Sequence, residues 1–474
     1  ALTLGVGLCD KELAPEQARK FLLEAHPHMP DNPMIAQRLA KLSEEPEEHE
    51  RYAREALRLA PGWTYARSQL AELLLDQGRY QEVLELTSGY ASTDINLLRC
   101  YAQALLFTGH ADGACNAYEQ LFQQTSWLSG ADFYYKWSAE MRFGLTERAI
   151  ATAQQARETY PDWETAYDML SQAQSNHGDY EAAQATLDEA RANGVPEHRY
   201  FEAQYELVWS RQDYEGALAV CDHILNYLAT MEKPEDSTLD DEAFAEDIAS
   251  KIHYWEVRRI RQLLELQRFD EARASIDKQE RDETFYGDVA WEAQHADEDA
   301  FGLEMAERAL ALDPKSFKGL FVRASALHSL EGEETGIAAY HELRQAHPDE
   351  HNSYEKLAQL LIYEDKFDEA LELAERAVLL GPFCHVAWAT RGYIHMARGE
   401  DEQAKADFQR AWNRSDIEQR LEGMHEYWWM WKLLTGDLEA AEHHRQQAYA
   451  EAKTDRQRRH IAHAESLAAA RAAA

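Results

Sequence analysis

Residues 354–412 read YEKLAQLLIYEDKFDEALELAERAVLLGPFCHVAWATRGYIHMARGEDEQAKADFQRAW, and the stretch can be laid on itself with a shift of 34 residues. In that register Tyr354 falls on Trp388, Ala370 on Ala404, Ala374 on Phe408 and Ala377 on Ala411. Carried upstream, it places Pro314, Pro348 and Pro382 at 34-residue intervals, each closing an apolar helical run such as that over 367–380. Each period therefore holds two helical patterns and a stop. Two antiparallel helices come close only where one presents no large side chain, so Gly392 and Ala404 make room for their larger neighbours. Gly399 and Asp401 end one helix and cap the next, and proline stops the second by restricting the residue before it and withholding a backbone donor. One such hairpin cannot cover its own apolar face and has to stack on others.

A 34-residue period of this kind resembles the tetratricopeptide repeat family. The residues that carry the resemblance are Tyr354, Leu357 and Ala358 in a first helix, Asp365 at the turn, Phe367, Ala370 and Ala377 in a second, then Pro382. The next copy supplies Trp388, Gly392, Gly399, Ala404, Phe408 and Ala411, with Asp416 where proline would fall. The resemblance implies an all-α fold, an α-solenoid of about twelve antiparallel helix pairs stacked as a right-handed superhelix.

Composition agrees with an ordered chain: of 474 residues 45% are hydrophobic, with only 12 prolines and 22 glycines. No apolar run reaches the ~18 residues that span a bilayer, so no membrane insertion is expected. With 86 acidic and 48 basic residues the formal charge is −38, which argues against nucleic acid as a partner. The charge serves solubility, and it also suits attraction of a cationic partner. Cys9, Cys100, Cys115, Cys221 and Cys384 lie far apart without a Cys-x-x-Cys pair and read as buried, reduced thiols. A start at Ala1 rather than methionine reads as a trimmed or processed N-terminus, and the compartment expected is the cytoplasm.

In order, 1–29 is a lead with an incomplete first repeat, whose helix over 15–25 stops at Pro27. A first block of repeats fills 30–231, where Gly144 matches Gly178, Ala149 matches Ala183 and Ala217, and Tyr180 matches Tyr214. Residues 232–247 carry eight carboxylates against Lys233 and read as an acidic inserted loop. A second block over 248–454 opens with a long helix over 248–266, and Phe269-Asp270-Glu271-Ala272 repeats the wording of Phe367-Asp368-Glu369-Ala370. Its last repeat holds Tyr427, Trp428, Trp429 and Trp431, which cover more than one helix face and so need a second surface, the final helix or another molecule. Residues 455–474, with Arg456, Arg458 and Arg459, read as a C-terminal capping helix.

Catalytic chemistry is sparse. His347-Pro348-Asp349 spells the tripeptide of J-domain co-chaperones, but Pro348 is in register with Pro314 and Pro382 and reads as a repeat end. His443, His444, His460 and His463 read as solvated surface histidines. No phosphate-binding glycine loop, nucleophile elbow or His-Glu-x-x-His pattern is present. The chain reads as a non-enzyme with no catalytic residue, no metal and no cofactor.

What the family resemblance implies is a concave groove lined by the first helices and taking a peptide or partner helix. Transferred position by position, the lining is Tyr134; Asp168, Gln172 and Asn176; Glu202, Glu206 and Trp209; Arg261, Trp291, Phe321, Gln359 and Tyr393. A two-carboxylate clamp for chaperone tails needs lysine, asparagine and arginine, and Asp168, Gln172, Glu202 and Glu206 have the wrong charge for it. The expected function is a non-enzymatic interaction scaffold that binds a peptide or extended protein segment, a basic one given Asp168, Glu202 and Glu206 beside Tyr134 and Trp209. Alternatives are a substrate-recruiting domain of, or partner to, an enzyme, and a peptide-responsive regulatory sensor. The C-terminal helix has two readings as well: a cap over Trp428 and Trp431, or a segment that enters a neighbour's groove and makes a homodimer.

Overall fold

The computed structural model describes residues 15–43, 45–91, 94–233, 238–415, 424–452 and 455–473, and among them all regular structure is helical. The chain forms two compact units, residues 1–160 and 161–474. The first holds α1 (Pro15–Ala25), α2 (Pro33–Lys41), α3 (Pro46–Leu59), α4 (Thr64–Asp76), α5 (Tyr80–Thr87), α6 (Ile95–Phe107), α7 (Ala111–Gln124), α8 (Gly130–Arg142) and α9 (Thr146–Thr159). The second begins with α10 (Glu164–Asn176), α11 (Tyr180–Ala192), α12 (Glu197–Ser210), α13 (Tyr214–Ala229), α14 (Asp241–Glu265), α15 (Phe269–Ile276), α16 (Glu283–His295) and α17 (Asp299–Leu312). It continues with α18 (Phe317–Glu331), α19 (Glu333–Ala346), α20 (His351–Tyr363), α21 (Phe367–Leu380), α22 (His385–Ala397), α23 (Asp401–Arg414), α24 (His425–Thr435), α25 (Leu438–Glu451) and α26 (Asp455–Ala473).

The 34-residue register is physical. Ala149, Ala183, Ala217, Ala370 and Ala404 are all without solvent exposure, at the seams where helices meet. A Cβ on Gly392 would lie 3.1 Å from Phe408 Cδ1 and 3.3 Å from the Ala404 carbonyl oxygen, so only glycine lets α22 and α23 approach this closely. Many turns between the helices of a hairpin hold one left-handed residue: Gly144, Gly178 and Gln212 supply it at 34-residue spacing, as do Asp365 and Gly399. Asp179 and Asp213 then cap the next helix, their side chains accepting from the Ala182 and Gly216 amides.

The aromatic position shared by Tyr354 and Trp388 has a specific task. Tyr354 Oη donates to the Pro348 carbonyl at 2.9 Å and Trp388 Nε1 to the Pro382 carbonyl at 2.8 Å, and Tyr167 treats Pro161 likewise. Each ring thus satisfies a carbonyl of the turn six residues upstream while packing on its own helix. His347-Pro348-Asp349 lies at such a repeat end: His347 Nε2 is 2.7 Å from the Lys315 carbonyl and its ring meets Phe317 edge-on.

Within each unit, first helices touch first helices of the next hairpin, as α4 does α6, α10 does α12, α16 does α18 and α20 does α22. Second helices of successive hairpins make at most marginal contact. Closer spacing on one side puts the first helices on the inner face of the stack.

Two expectations change. The acidic stretch over 232–247 is not a loop throughout, because α14 starts at Asp241, whereas a helix was expected only from 248. Asp240 caps it by accepting from the Ala243 amide at 2.8 Å, and carboxylates in a first turn favour a helix N-terminus. Residues 234–237 lie outside the described residues, as do 1–14 with Cys9, and Asp416. The second change concerns the histidines: His444 is buried, its Nδ1 2.9 Å from His425 Nδ1, and His463 is engaged rather than solvated.

The last repeat shows what covers its aromatic set. Tyr427, Trp428, Trp429 and Trp431 are no more than 7% exposed, and Trp412 meets Trp428 edge-on at 5.1 Å. Ile461 and Ala464 of α26 belong to the same apolar cluster as Trp428, Trp431 and Tyr393. Polar contacts fix α26 in place: Arg471 reaches both Asp401 oxygens at 2.6 and 2.7 Å and the Met396 carbonyl at 2.8 Å. The second surface is therefore the final helix of the same chain.

Candidate functional site

In the unit formed by 161–474, α10 and α12 bring carboxylates together on the inner face. Asp168 is half-buried, and that burial, reinforced by the Glu202 and Glu164 charges against the opposing pull of Arg199, pushes its carboxyl up to about 6. Glu206 is raised in the same direction, again by desolvation first, with Arg258 working against it and Glu202 with it. Glu202 itself pairs with Arg199 at 3.4 Å. Among the described residues no donor is hydrogen-bonded to the Asp168 or Glu206 carboxylate, so Asp168, half-buried, leaves acceptors open where water is scarce, while Glu206 is exposed beside it.

Aromatic side chains flank this acidic strip. Tyr205 stacks on Trp209 with centroids 6.2 Å apart, Trp255 meets Tyr205 edge-on, and the Arg261 guanidinium lies 5.2 Å from the Trp209 ring. Gln172 and Asn176 follow Asp168 along α10, both exposed. Tyr254 and Arg258 were not legible as lining residues, because the acidic tract ahead of α14 hides the register. Tyr254 is 46% exposed, and Arg258 lies 4.4 Å over its ring and 5.2 Å from that of Tyr205.

Farther along, the lining positions are committed to the protein's own packing. Arg261 pairs with Glu265 and Glu292 and donates to the His295 carbonyl at 3.0 Å. Trp291 is half-buried against Phe321 at 5.2 Å. Phe321 and Tyr393, expected in the groove, are core side chains at 5% and 4% exposure. Phe321 is enclosed by Trp291, Phe317 and Tyr340, and Tyr393 is covered by α26, its hydroxyl 2.9 Å from His463 Nδ1. Gln359 bridges Glu355 and Thr390 at 3.3 Å each. Tyr134 belongs to the unit of residues 1–160, where it is 42% exposed beside Tyr135 and Trp137.

Cys100, Cys115 and Cys221 are buried thiols pushed up to about 12 by desolvation, which matches inert apolar filler. Cys384 shares that raised value and differs in its company. His351, Glu355 and Cys384 bring one ring nitrogen, one carboxylate oxygen and one sulfur within 4.8 Å of each other. A reading based on Cys-x-x-Cys and paired histidines missed it, since its signal is only a His and a Glu four apart and a cysteine 29 residues beyond the Glu.

No family model matches the sequence, and no curated protein matches it. Among solved structures, the chain is similar to one described as the APC/C hetero-tetramer Cut9-Hcn1, at 13% identity and a TM-score of 0.36, covering 98% of this chain and 91% of that one. A second, Naa15/Naa10 bound to HypK-THB, matches at 14% identity and a TM-score of 0.29 over 97% of this chain and 71% of the other. A third, MamA, matches at 15% identity and a TM-score of 0.26 over 38% of this chain and 96% of its own. From the register of buried alanines, the left-handed turn residue and the inner row of first helices, each of the two units is an α-solenoid stack of helical hairpins that resemble tetratricopeptide repeats.

Proposed function

We propose that the protein is a non-catalytic interaction scaffold that holds an extended, lysine- or arginine-bearing segment against the inner face of α10 and α12. The observation that carries this reading is the pair Asp168 and Glu206: both carboxyls are raised by desolvation and by Glu202, and neither accepts a hydrogen bond among the described residues. The half-buried Asp168 carboxylate gains from an incoming cation what it lacks in the free protein, and the exposed Glu206 adds charge of the same sign beside it. The exposed Tyr254 and the half-buried Trp209 offer ring faces to the same cation or to apolar neighbours along the segment. The wrong charge of Asp168, Glu202 and Glu206 for a two-carboxylate clamp supports a ligand other than a chaperone tail.

The test is fluorescence anisotropy with labelled unstructured peptides, one lysine- and arginine-rich and one with those residues replaced by glutamate. The basic peptide is expected to bind and to weaken as salt rises, and Asp168→Asn with Glu206→Gln to weaken it at least about 10-fold, or roughly 1.4 kcal/mol. Equal binding of both peptides, or a double variant that binds as well as the parent, would overturn the reading.

A further inference from the structure

We propose that His351, Glu355 and Cys384 form a Zn²⁺ site that fastens two neighbouring hairpins. His351 is the first residue of α20 and Glu355 lies one turn later on the same face, while Cys384 occupies the N-cap of α22 in the next hairpin. Cys384 Sγ is 3.4 Å from Glu355 Oε2. With Zn–S of about 2.3 Å and Zn–O of about 2.0 Å, the sulfur–oxygen edge of a zinc tetrahedron is about 3.5 Å, so these two atoms already stand at ligand spacing. The imidazole completes a set whose members are all within 4.8 Å of one another. One nitrogen, one oxygen and one sulfur suit zinc; magnesium and calcium call for oxygen alone.

The surroundings hold these groups ready. Glu355 is 5% exposed, and its other oxygen, Oε1, accepts from Gln359 Nε2 at 3.3 Å and lies 3.5 Å from Lys356 Nζ. Gln359 is in turn tied to Thr390 on α22, so the carboxylate is oriented from both hairpins. The His351 ring rests on Gly381: a Cβ there would stand 2.6 Å from His351 Cγ, and the seat exists only because residue 381 is glycine. Among the described residues no group is hydrogen-bonded to that ring, which leaves its nitrogens open to a ligand. Burial and the Glu355 carboxylate keep Cys384 a thiol in the free protein, against the weaker opposing pull of the Ala387 and Val386 amides at the start of α22. When zinc enters, the thiol proton that Cys384 shares with Glu355 leaves to solvent, the thiolate takes the metal, and water fills the fourth position.

The experiment uses the full chain, stripped with a chelator and titrated with zinc chloride in calorimetry and with cobalt chloride in absorption. One equivalent of each metal is expected, with a thiolate-to-cobalt charge-transfer band and a rise in the unfolding temperature of the metal-bound form. Cys384→Ser is expected to abolish the band, and both it and His351→Asn to weaken zinc at least about 10-fold. His351→Asn changes a partly exposed residue at a helix start, so it keeps the test open should Cys384→Ser fail to fold. Absence of stoichiometric binding by the parent, or unchanged affinity in His351→Asn, would overturn the site.

Discussion

At position 212 a glutamine holds the backbone in the left-handed region, φ 55°, that glycine holds at 144 and 178 with φ 76° and 85°. A side chain there costs about 1–2 kcal/mol, while glycine costs about 0.4–1 kcal/mol through the freedom it adds to the unfolded chain. Gln212→Gly is therefore expected to raise stability by about 0.5 kcal/mol and Gly178→Ala to lower it by about 1 kcal/mol, read as opposite shifts of the urea midpoint. Asp168 carries a different signature. Its folded value of about 6 lies above the ordinary 3.8, so the folded state holds the proton more tightly. This group's contribution to stability is fully present below about pH 4, falls as pH rises towards 6, and stays lost above that. Asp168→Asn should flatten the fall and stabilise the free protein at pH 7 by roughly 1 kcal/mol once solvent screening is allowed for. The same change weakens a basic ligand, and a gain in melting temperature together with a loss of peptide affinity would distinguish a binding carboxylate from a structural one. What the sequence displayed at this scale was residue type: Asp168 and Glu206 could be placed on neighbouring helices by register. Phe321 and Tyr393 could not be told from lining residues by register alone, because their exposure depends on what other elements lay over them.

Each hairpin is held together by features that repeat in the chain and was readable for that reason. Ala404 is one: with no exposure and with Phe408 one turn along, it leaves no room between α22 and α23, so Ala404→Leu should cost about 1–3 kcal/mol through overpacking. An unchanged unfolding midpoint would show that the seam yields. The start of α14 was hidden for the opposite reason. Its first turn is Asp241 and Glu242, residues that look like loop by composition yet favour a helix N-terminus by charge. Asp240→Ala removes the side chain that accepts from the Ala243 amide and should cost about 1 kcal/mol, with faster amide exchange confined to the first turn of α14.

Beyond single hairpins, the end of the chain is organised by one element that no repeat predicts. Truncation after Ala452 takes away Ile461, Ala464, His463 and Arg471, and so uncovers the Trp428 and Tyr393 cluster. The shortened protein should melt earlier and aggregate on warming, seen as light scattering that precedes loss of ellipticity; identical melting of both forms would mean that α26 contributes nothing to the core. The sequence could state that such a cap was needed, from tryptophans on too many faces, but not which surface answered. The hydrogen bonds of His463 and Arg471 on α26 span 70 to 98 positions, to Tyr393, Met396, Asp401 and Asp365, while Glu465 of the same helix accepts from Arg445 only 20 positions away. Neighbour-to-neighbour stacking elsewhere closes loops of about one repeat, so each hairpin can settle as soon as its successor exists. The helix over Asp455–Ala473 closes a far longer loop and is the last of the described helices to leave the ribosome. During synthesis the surface around Tyr393 and Trp428 therefore stays open after its own repeats have formed, and that interval, set by translation speed, is when this end of the protein is exposed to chaperones and to other nascent chains.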